Sequence, residues 1–400
     1  MSLSPHLSAV FGPGAPDLSW QEDFYQDLHM HPELSHTEER TAAKILERLS
    51  LMDAEIVDGI GGFGIVAIFR NGPGPTVLFR ADFDGLPVAE ETHVSYAATN
   101  GNMHACGHDM HTTALLGACA LLDEGREHWT GTFLALFQPA EESSMGAKFM
   151  LADELTARVP APDLCLGQHI MPGPAGQVCS KPGPIMAGCD SLRIRIFGKS
   201  AHASMPHNSI DPTYIAAMIV IRLQAIVGRE VAPQEFFVIS IGEIHSGDKN
   251  NIIPETAELV LNTRFYDPAL AERVYASLER MVKAECAASG SPAEPTFECF
   301  AHGEVTDNDP AADVAIREVF DATFGAESVD AEPSTASEDF CYLPQAWNVP
   351  YYFWFIGSTP AEQLDDPPVN HQPTFLPDYN PTVAASTKAA AAAVLTYLSR

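Results

Sequence analysis

Positive charge is what this 400-residue chain has least of: 22 Lys and Arg stand against 53 Asp and Glu, a formal net charge of −31. A surface that acidic repels nucleic acid and anionic membrane, which argues against a polyanionic partner. Long apolar runs are missing too. The longest, around Tyr214–Ile221 and Ala389–Leu395, are too short to span a bilayer. The opening MSLSPHLSAVFGPGAPDL has neither a charged start nor an unbroken apolar core, so it does not read as a signal peptide. The eight cysteines follow no spacing framework, which in a long chain points to reduced thiols and a cytoplasmic protein. No repeat or low-complexity tract stands out beyond an alanine run near the carboxyl terminus.

What is present is ordinary globular material, 46% hydrophobic and 19% charged, in a chain long enough for two domains. Capping-box spacing at Ser19/Glu22 and Ser35/Glu38 predicts two opening helices, separated by Pro32. The runs TVLFRAD (76–82), TFLALFQ (132–138) and DLCLGQH (163–169) are apolar and end in polar residues. Buried parallel strands have that pattern, and in open α/β sheets chemistry gathers beyond their carboxyl ends. TTALLGACALL (112–122) supplies an intervening helix. After KPGPIMAG (181–188) the pattern changes to a strand SLRIRIF, a helix opened by Asp211 and Pro212, strands EFFVISI and AELVLNTRF, a helix over 269–287, and a strand near PTFECF. That β-α-β-β-α-β order is the order of a ferredoxin-like unit. The earlier pattern resumes with YYFWFIG (351–357), where core packing is the expected use of the aromatics, and a last helix capped by Asn380 and Pro381. The expectation is an α/β fold with a mixed, mostly parallel sheet flanked by helices, built from 1–187 and 300–400. Residues 188–299 form an inserted α+β domain.

Residue types able to hold a metal concentrate in a few places. MHACGHDMH (103–111) packs three histidines, a cysteine and an aspartate into nine residues. Cys106 and His108, two apart, share no helix face and converge only from a loop, expected to enter its helix at Thr112. Structural use of such a cluster is the plain alternative. Glu141 and Glu142 in FQPAEESS point in different directions if the segment is extended, so one can ligate while the other faces water; a solvated helix start is the alternative. His169 closes LGQH, and His371 lies in NHQPTF. Asp82 and Asp84 fall on one side of an extended chain and are either ligands, partners that orient a metal-bound histidine, or turn residues.

RADFDGLP, MHACGHDMHTTALLGA, FQPAEE, GQH, GKSAHASMPHNSIDP, NIIPETAEL…TR, SEDF and HQPTF occur in the order seen in M20 family metallopeptidases. The chain resembles most the amidohydrolase branch, with hippurate hydrolase, N-acyl-amino-acid aminoacylases and auxin-conjugate hydrolases. The resemblance runs from HMHPELS to HQPTF. It implies a catalytic domain with two divalent metal ions (Zn²⁺, or Mn²⁺ or Co²⁺), and an inserted lid through which a homodimer or higher homo-oligomer forms. By motif, the metal ligands are Cys106, His108, Glu142, His169 and His371, with Glu141 as general base. His104, Asp109 and His111 support the loop. The wider family has His-x-Asp where this chain has Asp82-Phe83-Asp84, and an aspartate bridge where the amidohydrolase branch has a cysteine. Cys106 is then the bridge, and Asp84 joins the catalytic set.

The implied reaction is hydrolysis of an N-acyl amino acid to a carboxylic acid and a free amino acid. The metal makes water a nucleophile near neutral pH, and Glu141 moves its proton to the departing nitrogen. His202, in GKSAHASMP, is implied as the oxyanion donor, across a dimer interface. A substrate carboxylate entering so acidic a protein needs a local cation, for which Arg264, with Asn251, is the candidate; a structural salt bridge is the alternative for Arg264. A dipeptidase or carboxypeptidase on the same scaffold, and a non-catalytic metal- or ligand-binding protein, are the competing readings.

Overall fold

In the computed structural model, residues 5–12 and 14–398 are described. The reading of the extreme amino terminus falls partly on residues 1–4 and 13, which lie outside them. Two compact units divide the chain: Met1–Ile185, Asp307–Glu332 and Asp339–Arg400 form one, and Met186–Thr306 with Pro333–Glu338 the other. The short return of 333–338 to the second unit has no signature in the sequence.

The first unit is built on an eight-stranded sheet. Its order is Glu55–Ile60, Gly64–Asn71, Gly131–Gln138, Thr76–Asp82, Leu164–Pro174, Tyr351–Thr359, Val178–Ser180 and Ser328–Asp330. The four central strands run parallel, and antiparallel pairings flank them on both sides. Their runs are continuously apolar because helices cover both faces. Trp354 shows this use of the aromatic strand: its ring packs edge-on against Phe79 and Phe320, at centroid distances of 5.6 and 5.1 Å. The helices His108–Glu124 and Tyr379–Leu398 pack closely, the second burying an almost unbroken alanine stretch. Gly117 permits the approach, since a Cβ there would stand 2.9 Å from Thr387 and 2.3 Å from Gln21.

The second unit has a four-stranded antiparallel sheet in the order Phe237–Ser246, Thr256–Phe265, Gly188–Phe197, Thr296–Gly303. With helices Pro212–Arg229 and Pro268–Ala288 between the strands, this is the ferredoxin-like order. Thr256–Phe265 alternates strictly between buried and half-buried residues, as a sheet with one covered face requires. Asp211 and Asp267 cap the two helices, accepting from Thr213 N at 2.9 Å and Ala269 N at 2.8 Å, each followed by proline at the first helical position. Ile194, Ile196, Ile219, Leu259, Leu261 and Leu278 lie in its core.

Several local expectations fail. Ser19 precedes helix Trp20–Met30 without capping it, and bonds Asp17 instead. Ser35 is no cap either: helix Glu39–Leu49 starts later, and Glu33 accepts the Arg40 and Thr41 N–H groups at 3.0 and 2.7 Å. The last helix begins at Tyr379, so Asn380 lies within it. Among the described residues no helix is long and apolar enough to cross a membrane.

Candidate metal centre

The polar ends of the central strands meet the start of one helix. Asp82 ends Thr76–Asp82, Glu141 and Glu142 follow Gly131–Gln138, and His169 lies in Leu164–Pro174. Helix His108–Glu124 begins four residues before the expected entry at Thr112, so His108 and His111 stand one turn apart with rings stacked at 5.4 Å. Gly107 makes this start: its φ is +83°, and a Cβ would fall 2.1 Å from the Ile170 side chain. Cys106 therefore turns back beside His108. Glu141–Ser143 is a 3₁₀ turn, not an extended segment; left-handed Ala140 opens it, and Glu38 accepts the Ala140 N–H at 2.8 Å.

These segments bring the metal-type side chains together. Cys106 Sγ lies 3.4 Å from His169 Nε2 and 3.3 Å from His371 Nε2. Glu142 Oε1 is 3.5 Å from His371 Nε2 and 3.8 Å from His108 Nε2. Ligand atoms lie within 4.8 Å of one another in three overlapping sets: Cys106/His108/His169, Cys106/Glu142/His371 and His108/Glu141/Glu142. Cys106 belongs to two of them. Glu141, 8 % exposed, is a member of the third.

The electrostatics are those of a site built around positive charge. Burial pushes the Cys106 thiol up, so a thiolate there requires a cation beside it. Burial also raises Glu142 to about 7, with His108 opposing and Asp84 and Asp82 reinforcing the rise. Burial holds His169 far below the usual imidazole range and lowers His371, leaving both neutral as ligands must be. Among the described residues, His108 Nε2 and Glu142 Oε1 are buried without a hydrogen bond. Orphaned atoms of this kind, converging from separate segments beside a sulfur, fit a divalent cation.

Around them, other groups fix orientation. Asp84 Oδ1 meets His108 Nδ1 at 3.0 Å, while its Oδ2 accepts from Ser35 Oγ at 2.7 Å and Glu142 N at 3.0 Å. Both Asp84 oxygens are thus occupied, one of them by the His108 ring. Burial would raise Asp82, but Arg80, His108 and His111 hold its carboxyl well below the usual range. Arg80 Nη1 bonds Asp82 at 2.6 Å and Nη2 bonds Asp339 at 3.0 Å, the aspartate of SEDF. Asp109 bonds His29 Nδ1 at 2.6 Å, and Glu90 meets Nε2 at 3.1 Å. Burial works against charge on that imidazole, yet the two carboxylates raise it from 6.5 to about 9. His104 is buried with neither ring nitrogen hydrogen-bonded among the described residues.

Sequence reasoning gave no part in this site to His29 and Glu90, and read Ser35 and Glu38 only as a helix cap; their partners here lie far along the chain. Asn370 was missed as well, although it adjoins His371; its Nδ2 donates to the Cys106 carbonyl at 3.4 Å.

The other nominated residues belong to the second unit. Ala201–His202 pairs with Ile252–Ile253, which brings exposed His202 near Asn251. His202 Nδ1 accepts the Ser204 N–H at 3.1 Å, so Nε2 carries the proton and is a donor. Arg264 bonds Asn262 Oδ1 at 3.0 Å and Ser337 Oγ. Both partners are neutral, so neither bond is the structural salt bridge held as the alternative.

The family model for peptidase family M20/M25/M40 matches residues 78–391. N-acetylcysteine deacetylase of Bacillus subtilis (strain 168) is 35% identical over 374 residues, covering 92% of this chain and 95% of that protein. Thermostable carboxypeptidase 2 of Saccharolobus solfataricus is 34% identical over 345 residues, covering 85% and 86%. Among solved structures, a dinuclear metal-binding peptidase of the M20 family from Bacillus subtilis superimposes with a TM-score of 0.81 at 30% identity, covering 95% of this chain and 98% of that one.

Proposed function

The chain belongs to peptidase family M20/M25/M40, and on that premise we propose that it is a metal-dependent amidohydrolase releasing free amino acids from N-acyl amino acids. The observation that carries this reading is the convergence of Cys106, His108, Glu142, His169 and His371, with Glu141 at its border. Those five residues would hold two divalent ions, and Cys106 belongs to two of the ligand sets. Bound there, the ions would supply Lewis acidity for the carbonyl and a lowered pKa for water.

The remaining chemistry belongs to the protein. Glu141 accepts the proton of the attacking water and delivers it to the departing nitrogen, a service typically contributing about 10²–10⁴-fold. Its burial keeps competing bulk water away. The Asp84 contact holds the His108 ring so that Nε2 faces the centre. His202 donates from Nε2 to the developing oxyanion, and Arg264 clamps the substrate carboxylate, with Asn251 beside the substrate.

Similarity to a carboxypeptidase supports a second reading, peptide cleavage at the same centre. A panel of N-acyl amino acids and dipeptides, assayed with Zn²⁺, Mn²⁺ and Co²⁺ and after chelation, separates the two. Preferential metal-dependent hydrolysis of the acyl substrates is expected. Preference for dipeptides establishes the second reading, and chelator-insensitive hydrolysis removes both. The reading also includes a cytoplasmic location and a homodimer or higher homo-oligomer formed through the second unit.

A further inference from the structure

Beyond a general part in supporting its loop, His111 has no role in the chemistry described so far. It is buried, and both ring nitrogens are engaged. Nδ1 meets Asp82 Oδ1 at 2.6 Å, and Nε2 accepts the Ile170 backbone N–H at 2.9 Å. A backbone N–H only donates, so Nε2 is bare and the proton sits on Nδ1. With neither nitrogen available, His111 is not a ligand, although it lies within ligand distance of Asp82 and His108.

The Ile170 peptide shows what His111 holds instead. The ladder between Thr76–Asp82 and Leu164–Pro174 ends at the pairing of Arg80 with Gly167. Past that point side chains take over the work of a neighbouring strand. His111 receives the Ile170 N–H, and the Ile170 carbonyl accepts from His169 Nδ1 at 2.7 Å and Asn370 Nδ2 at 3.3 Å. With its proton committed at Nδ1, His169 presents a bare Nε2 to Cys106 Sγ. The His111 ring also packs edge-on against His169, centroids 4.5 Å apart.

We propose that His111 is the positioning residue for His169. The Asp82–His111 pair holds the Ile170 backbone by its N–H, and the carbonyl of the same residue fixes the tautomer and ring direction of His169. This rests on the reading of His169 as a metal ligand. Partners that orient ligating histidines typically change metal affinity about 10–100-fold when lost.

The test is chelator competition on the full-length, Zn²⁺-loaded protein, with hydrogen exchange of the segment Leu164–Pro174 as the second readout. His111→Leu keeps bulk and removes both bonds. His111→Gln retains an acceptor near the Nε2 position, and His111→Asn is too short to reach Ile170 N. The Leu and Asn variants should weaken one Zn²⁺ site about 10–100-fold and speed exchange in 164–174, with Gln recovering most of both. Wild-type affinity in His111→Leu, or equal losses in the Leu and Gln variants, overturns the proposal. Should His111→Leu not fold, equal affinities in the Gln and Asn variants do the same. His169→Ala separates the two levels. If it binds two ions as tightly as the parent, the metal-site reading fails and takes the proposal with it. If it loses affinity while the His111 series does not, only the positioning role falls.

Discussion

The two units carry most of their functional residues in opposite ways, exposed His371 of the first being the exception. Near the carboxyl ends of Thr76–Asp82 and Gly131–Gln138, Asp82, Asp84, His108 and His111 are buried, and each is held by other buried groups. In the second unit His202 and Asn251 stand exposed, and half-buried Arg264 bonds the neutral Asn262 and Ser337. The first arrangement is costly to disturb, because an unpaired buried charge has no water to turn to. The second leaves its side chains free to meet a ligand. Substitutions in the first region should therefore mix damage to stability with damage to chemistry, whereas those in the second should affect chemistry alone.

The largest effect is expected at the border of the buried cluster. Glu141→Gln should retain metal yet lose about 10²–10⁴-fold in kcat, measured by steady-state kinetics beside elemental analysis. Near-normal turnover would take Glu141 out of the chemistry. In the second unit, His202→Ala should lower kcat about 10²–10³-fold while leaving the Tm unchanged. A large drop in Tm would make it a structural residue and blur the contrast between the units. Arg264→Ala should raise KM roughly 10–100-fold for substrates with a free α-carboxylate and spare their esters, a charged hydrogen bond being worth about 1.5–3 kcal/mol. Equal losses for acids and esters would end the clamp assignment.

A smaller effect separates the regions by pH. Folding raises His29 from 6.5 to about 9, so its contribution to stability is fully present below pH 6.5 and fades as pH rises through about 9. Urea unfolding across that window should show a declining stability that His29→Gln flattens. An unchanged slope in the variant would assign the decline to other groups.

The same contrast explains what could be read in the sequence. The apolar strands ending in polar residues, the ferredoxin-like order and the Asp211 cap are local patterns, and the structure repeats them. The density of HACGHDMH marked the buried centre even though the helix start was misplaced. That start depends on left-handed Gly107 seated against Ile170, a contact no local pattern announces. Ser35 has the spacing of a cap but serves Asp84, and Arg264 meets Ser337 across a wide gap in sequence. Exposed His202 carries no signal of its own and is nominated by family resemblance, whereas Asn251 is nominated with Arg264 from the substrate carboxylate's need of a partner.

The central claim is that Cys106 is one of the residues that would hold two divalent ions. Elemental analysis of the purified chain and of Cys106→Ala, each after equilibration with Zn²⁺, tests it most directly. Two ions per chain in the parent and clearly fewer in the variant are predicted. The same stoichiometry in both would contradict it.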